Sequence, residues 1–241
     1  MTLRLDKLLA DAGWGSRSET RRAIRAGRVT VDGAAVLDPS VHVDADRQTV
    51  TVDGQDAGYR AHDYLMLHKP AGVVSATEDP TEPTVISLLP PRYQRRGLFP
   101  AGRLDKDATG LLLLTNDGAL CHAMTAPGRG IARVYQVLLD KPVGSEDISA
   151  FTRGLMLPDG ESCLPAALTI DSDRSREAGV TIYEGKYHQI KRMFAARGLR
   201  VISLKRLSHG PLLLDEDLPP GAWRPLDETE LRMLLDVCFL L

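Results

Sequence analysis

Residues 99 to 118 read FPAGRLDKDATGLLLLTNDG, and the four leucines at 111 to 114 constrain the fold more than any other stretch. An unbroken apolar run bounded by turn residues reads as a buried strand, which needs a core on its flanks. A chain of 241 residues with 43% hydrophobic content can supply one, as one large domain or as one domain plus a small appendage. Immediately before the leucines, Arg103, Asp105, Lys106 and Asp107 crowd between Gly102 and Gly110. A charged, tightly turned loop on a rigid strand is a way to hold a reactive side chain still. It is also an ordinary surface turn, because aspartates bond their own backbone. The residues alone leave both readings open.

The formal net charge is only -2, so a nucleic-acid partner has to be met by a local basic patch. The three cysteines, Cys121, Cys163 and Cys238, lack C-x-x-C spacing and nearby histidine pairs, which argues for neither disulfides nor zinc. The start, MTLRLDKLLADAG, carries charges where a signal peptide needs an apolar run, and no run approaches the about eighteen residues of a membrane span. A soluble, cytoplasmic protein is expected.

Near the start, Leu5, Leu8, Leu9 and Ala12 fall on one helix face, and GWG ends the pattern. Ser16 followed by Glu19 is a capping-box pattern, and Gly27 supplies a stop, so SRSETRRAIRAG reads as a second helix. Arg17, Arg21 and Arg25 are spaced to share one face of it, with Arg22 beside them and Arg28 just beyond. Such a face is either solvated surface or a phosphate-binding surface; regular spacing of one sign favours the second. RVTVDGAAV and TVTVDG then suggest hairpins turning at Asp32-Gly33 and Asp53-Gly54. The stretch RLDKLLADAGWGSRSETRRAIRAGRVTVDG resembles the S4 RNA-binding module. The resemblance implies backbone-directed RNA binding through Arg17, Arg21, Arg22, Arg25 and Arg28, which gives affinity with little sequence information.

These features divide the chain into residues 1 to 56, a polar linker at 57 to 62, and a larger domain from 63 to 241. In the larger part, YLMLHKPAGVVSAT reads as two short strands about a Pro70–Gly72 turn, LLLLT and RVYQVLL as strands, and GALCHAMTA and HQIKRMFAARG as helices. The elements do not alternate as a doubly wound sheet requires. An α+β fold with helices against a largely antiparallel sheet is expected. The tail DETELRMLLDVCFLL, with a cap at Asp227 and a stripe at Leu231, Leu234, Leu235 and Cys238, is a core-packing helix.

GRLDKDATGLLLLTNDG is similar to the GRLD motif of pseudouridine synthases, and with the S4-like start the resemblance covers nearly the whole chain. It is nearest the RsuA type, which acts on small-subunit ribosomal RNA. The discriminating stretch is EGKYHQIKRMFAARG, since relatives acting on the large subunit more often carry Asn-Arg where Tyr187-His188 stand. The resemblance implies a catalytic aspartate at Asp105, with Asp107 a solvated or turn-stabilising acid and Arg103 helping to hold a flipped-out nucleotide. It implies a stacking tyrosine and candidate base at Tyr135 in RVYQV, where Arg133 stands in place of the lysine of many relatives. It places a cation in contact with the aspartate at Lys191. His188 is read as a cap or phosphate contact and not as catalytic. Lys69, Arg133, Lys186 and Arg192 join Arg103 as candidate RNA-binding cations. Between Glu184 and Arg206 seven basic residues face that single acid, more than a solvated helix needs.

The chemistry makes one site of these matches. Converting uridine to pseudouridine breaks the bond from ribose C1′ to uracil N1, turns the base and rejoins it through C5. It needs a carboxylate, a cation to keep it charged and an aromatic wall to hold the loose base, flipped from its stack. Whether the carboxylate attacks C1′, attacks C6 or removes a sugar proton stays open. No cofactor and no metal are expected. The expected partner is ribosomal RNA, at a site of the uridine 516 type, free or in a partly assembled small-subunit ribonucleoprotein, with the protein acting as a monomer and without a membrane. The alternatives are a large-subunit (23S) ribosomal RNA synthase of the same family and a non-catalytic RNA-binding assembly factor, but a pure binder has no use for Asp105, Tyr135 and Lys191 together. A glycosidase-like hydrolase on Asp105 and Asp107 is weaker, because carboxylates two apart on an extended loop diverge.

Overall fold

The computed structural model describes residues 2–45, 47–59, 61–170 and 176–239. The chain forms two compact units, Met1–Asp63 with Leu89–Leu98, and Tyr64–Leu88 with Phe99–Leu241. In the first, β1 (Thr2–Arg4) runs into α1 (Leu5–Asp11) and α2 (Arg17–Arg25), followed by β2 (Val29–Val31), β3 (Ala34–Ala35), β4 (His42–Asp44), β5 (Val50–Val52) and β6 (Gln55–Asp56). Leu5, Leu8 and Leu9 are buried, as the helical period requires. The capping box closes both ways: Ser16 Oγ accepts from the Glu19 amide at 3.3 Å, and Glu19 Oε2 accepts from the Ser16 amide at 2.7 Å. Asp32-Gly33 and Asp53-Gly54 have φ of 51° and 82°, and of 51° and 78°, the left-handed pairs of tight hairpin turns. They close β2 on β3 and β5 on β6 in a sheet ordered β3-β2-β5-β6.

Leu89–Leu98, which carries α3 (Pro91–Gln94), packs with this first unit, although sequence position assigns it to the larger block. Two arginine side chains make the contact, Arg96 by pairing with Asp63 and Arg92 by reaching further. Arg92 donates Nε to the Ala12 carbonyl and Nη2 to the Ala57 carbonyl, each at 3.3 Å, with its guanidinium 5.9 Å from the centre of the Trp14 ring. Gly13 makes the room, since a Cβ there would lie 2.5 Å from the Arg92 carbonyl oxygen.

The second unit contains β7 (Tyr64–Lys69), β8 (Phe99–Pro100), β9 (Thr109–Thr115), α4 (Gly118–Thr125), β10 (Arg133–Leu139), α5 (Ser145–Arg153), β11 (Ala167–Thr169) and β12 (Glu177–Ile182). It continues with α6 (Gln189–Ala195), β13 (Val201–His209), β14 (Leu212–Leu213), β15 (Trp223–Pro225) and α7 (Glu228–Phe239). Its nine-stranded sheet has the order β11-β12-β10-β13-β9-β7-β15, with β14 on β13 and β8 on β9. Every one of these pairings is antiparallel except β9 with β13. The expected α+β class with a largely antiparallel sheet is what the chain forms. β9 lies between β7 and β13, and all four leucines at 111 to 114 are fully buried. α7 is capped by Asp227 and Glu230, each accepting from the other's amide, and Leu234 and Cys238 join Leu120 and Met124 of α4 in the core. The last two residues of that tail, Leu240 and Leu241, lie outside the described residues.

The second strand expected in HKPAGVVSAT does not form. After β7 the chain makes only an isolated bridge from Val74 to Thr84. Its polar groups are turned to another use: Ser75 Oγ donates to the Leu104 carbonyl at 2.8 Å and accepts from the Leu104 amide at 3.0 Å, and the Gly72 amide donates to the Lys106 carbonyl at 2.8 Å. The Gly72 amide, spent on the loop, has no second proton to give to a ladder.

Candidate active site

The loop at 101 to 108 joins β8 to β9 and borders a cleft of about 990 Å³, lined among others by Arg103, Asp105, Arg133, Tyr135, Lys191 and Arg206. Three strands and one helix bring these together. The single parallel contact sets Gly110 of β9 opposite Arg206 of β13, and Arg206 in turn lies opposite Tyr135 of β10. Only glycine fits at 110: its φ is 105°, and a Cβ would lie 2.2 Å from the Arg206 carbonyl oxygen.

Lys191, in the first turn of α6, reaches both loop acids. Its Nζ lies 2.9 Å from Asp105 Oδ2 and 2.6 Å from Asp107 Oδ1. Burial alone would lower this ammonium, but the bonds to Asp107 and Asp105 outweigh it and hold the group above the usual lysine range. The Lys191 hydrogen bond, against some burial, holds Asp107 below the usual carboxylate range. Asp107 is 73% exposed against 23% for Asp105, so the second acid, read as a solvated turn residue, shares the cation from the solvent side. His188 Nε2 stands 3.4 Å from the other oxygen of Asp105. It makes no capping bond from its side chain, and its backbone is left-handed, with φ of 47°, a costly conformation for a non-glycine residue. The ring stacks on Tyr187 with centroids 3.9 Å apart, and Tyr187 is 76% exposed at the rim.

The candidate RNA-binding cations separate by environment. Arg103 is exposed on the cleft, with no hydrogen bond or ion pair among the described residues. Arg133 is buried, donates Nη2 to the Met124 carbonyl at 3.2 Å, and is held below the usual arginine range by burial. Lys186 bonds the Ser162 carbonyl at 2.6 Å and pairs with Glu161, and Arg192 pairs with Asp159 and Glu161, so both are largely neutralised in place. On α2, the side chains of Arg17, Arg22 and Arg25 are exposed and make no hydrogen bond or ion pair among the described residues, whereas Arg21 bonds the fully buried Asp6 at 2.8 Å and Arg28 pairs with Asp53. For Asp6 the rise from burial is outweighed by the bonds from Arg21 and Arg4, which leaves it ionised below the usual range. Arg21, itself part-exposed, is therefore tied to a buried acid of the unit. Replacing Arg17, Arg22 and Arg25 by alanine should lower the log-log salt slope of RNA binding by about one unit per lost phosphate contact. Arg21→Ala should appear instead as lost thermal stability; an unchanged salt slope in the triple variant would leave α2 a solvated helix.

Lys69, expected from the sequence among the RNA-binding cations, is turned away from solvent. It is fully buried at the end of β7, where its Nζ donates to the carbonyls of Pro70 at 2.9 Å, Lys106 at 3.2 Å and Ala108 at 2.8 Å. With Ser75 and Gly72 it fastens the Asp105 loop from beneath; no motif spacing announced these three roles. Burial lowers the Lys69 ammonium to about 8, against the opposing pull of Asp107 and Asp105. Because the folded value lies below the ordinary lysine value of about 10.4, the folded chain gains stability as pH rises between them. Lys69→Met should abolish that gain, seen by urea unfolding at pH 7.5 and 10. It should also lower turnover by about 10²-fold by slackening the loop, with RNA affinity unchanged. Weakened RNA binding at full turnover would return Lys69 to the list of RNA contacts.

Residues 63–196 match the family model described as RNA pseudouridylate synthase, and residues 3–48 match the S4 domain. The chain belongs to the RNA pseudouridylate synthase family. This pseudouridine synthase is 47% identical over 234 residues to an uncharacterized RNA pseudouridine synthase of Bacillus subtilis, covering 96% of this chain and 98% of that one. It is 40% identical over 234 residues to the ribosomal small subunit pseudouridine synthase A of Escherichia coli, covering 97% and 100%. A crystal structure of a pseudouridylate synthase superposes with a TM-score of 0.67 at 37% identity, over 96% of this chain and 99% of that one. The synthase is thus of the RsuA type, an S4 domain ahead of the catalytic domain. Among its described residues no three His, Cys, Asp or Glu side chains gather as a metal site, and no helix is long and apolar enough to cross a membrane.

Proposed function

We propose that this synthase isomerises one uridine of small-subunit ribosomal RNA, at a site of the uridine 516 type, with Asp105 as the reacting carboxylate. The observation that carries the reading is the Lys191–Asp105 contact of 2.9 Å at a cleft that also presents Tyr135. The ammonium holds the carboxylate in place beside the half-enclosed cleft. The flipped uracil stacks on Tyr135, whose hydroxyl assists removal of the C5 proton, and Arg103 holds the nucleotide's phosphate at the mouth. Full-length similarity to the Escherichia coli small-subunit enzyme supports the choice of RNA. All of these groups come from one chain, which suits a monomer acting on free RNA or on a partly assembled small-subunit particle. The test is pseudouridine mapping in ribosomal RNA from cells lacking the gene, with and without a plasmid copy. One small-subunit site missing and restored is the expected result; a missing large-subunit site, or none, overturns the assignment.

A further inference from the structure

Arg206 is the largest fully buried side chain among the described residues, 1% exposed, yet it lines the cleft opposite Tyr135. Its Nε donates to the Leu111 carbonyl at 2.7 Å, while Nη2 is buried with no hydrogen-bond partner among the described residues, and no carboxylate pairs with the guanidinium. A buried, unsatisfied donor on a charged group is costly enough to need an explanation. The surroundings add more positive charge. Burial first, and then the Arg206 and Arg133 charges, hold the fully buried His209 well below the usual histidine range, so it stays neutral. The Arg206 charge also opposes protonation of Lys69 and Arg133. The floor of the cleft is therefore a region of surplus positive potential.

We propose that Arg206 is a substrate-contacting residue whose guanidinium donates to a uracil carbonyl oxygen and stabilises the negative charge that builds on the base during isomerisation. The inference rests on the pseudouridine-synthase reading of the cleft and adds a residue to it. When C1′–N1 breaks, its electron pair stays with the uracil, which becomes an anion delocalised over its carbonyl oxygens. When a nucleophile adds at C6 instead, the pair moves through C5 to the O4 carbonyl. Either route places charge on the same ring oxygens before C1′–C5 forms, C5 gives its proton to a base and N1 takes one up. A fixed cation in a desolvated site favours that charged state more than the neutral substrate, which raises turnover rather than binding.

The test compares Arg206→Gln and Arg206→Lys on a small-subunit ribosomal RNA transcript made with uridine or with 5-fluorouridine, following consumption of the target nucleoside in single turnovers. Fluorine withdraws charge from the ring, so the fluorinated base depends less on outside help. With uridine, Arg206→Gln should lower the rate by about 10²–10³-fold, as loss of one donor to a developing oxyanion does. RNA affinity should hold, Arg206→Lys should recover part of the rate, and the loss should shrink by about tenfold on the fluorinated RNA. Equal losses on both RNAs would make Arg206 a tie between β13 and β9 and overturn the proposal, as would a wild-type rate. If Arg206→Gln does not fold, Arg206→Lys carries the same two-RNA comparison. Asp105→Asn, run alongside, separates the failures: if it is active the site reading falls with the inference, and if it is inactive while Arg206→Gln matches wild type only the inference falls.

Discussion

Asp105→Asn should lower pseudouridine formation by at least about 10³-fold, the scale on which a positioned nucleophile or base acts, while leaving RNA affinity at or slightly above wild type. Asparagine keeps the size of the side chain and can still accept a hydrogen bond from Lys191, now 2.9 Å from Oδ2, so the loop has no steric reason to move. It removes the charge that must attack or deprotonate. The cleft then presents Lys191 with one acid fewer, which favours a polyanion. Asp107→Asn is the matched control. It too removes the charge of an acid bonded to Lys191, at 2.6 Å, but from a side chain that is mostly in solvent, and its turnover should stay within several-fold of wild type. Tritium release from C5-labelled uridine, with equilibrium binding of the same RNA, measures both. Near-wild-type release from Asp105→Asn would sink the assignment, and a complete loss in Asp107→Asn alone would move the chemistry two residues along the loop.

Gly110→Ala should be the most destabilising single substitution in the catalytic unit, by about 2–6 kcal/mol from backbone strain and overpacking combined. A methyl at that position would sit 2.2 Å from the carbonyl oxygen and 2.5 Å from the amide nitrogen of Arg206, both backbone atoms that cannot swing away, and φ of 105° is unfavourable to any side chain. The strands β9 and β13 would have to separate at their only described pairing, Thr109 with Lys205 and Gly110 with Arg206. Turnover should fall with stability, because the same contact sets the Asp105 loop against Tyr135 and Arg206. Gly118→Ala is the control: that glycine has no positive φ and nothing within 4 Å of an added Cβ, and the change should be neutral or mildly stabilising. Thermal unfolding of the two variants distinguishes close approach from a general intolerance of alanine; equal melting temperatures would show that the sheet accommodates the methyl.

Much of this architecture was legible because it is written in short-range patterns. The capping box at Ser16 and Glu19, the left-handed Asp-Gly turns and the buried leucines of β9 each follow from residues a few positions apart. The motif residues Asp105, Tyr135 and Lys191 were legible through likeness to pseudouridine synthases, and the structure draws them to one cleft. The neighbours of these residues were not. His188 at 3.4 Å from Asp105, the Ser75 bracket on Leu104 and Arg206, bonded to Leu111 and otherwise unsatisfied at Nη2, involve residues 29 to 95 positions apart, or a backbone conformation no local rule requires.

Charge shows the same division most clearly. By itself the sequence determined where arginines and lysines fall along helices and strands, and hence that α2 and the segment from Glu184 to Arg206 are basic. Only the tertiary structure decided which of those charges remain available. Arg21 is bound to a buried aspartate, Arg28, Lys186 and Arg192 are paired with acids distant in sequence, and Lys69 is turned inward to three carbonyls, while Arg17, Arg22, Arg25 and Arg103 stay open. The physical reason is that a charge's worth depends on what surrounds it within a few ångströms, through desolvation and pairing, and those neighbours are assembled by strand order and not by sequence order.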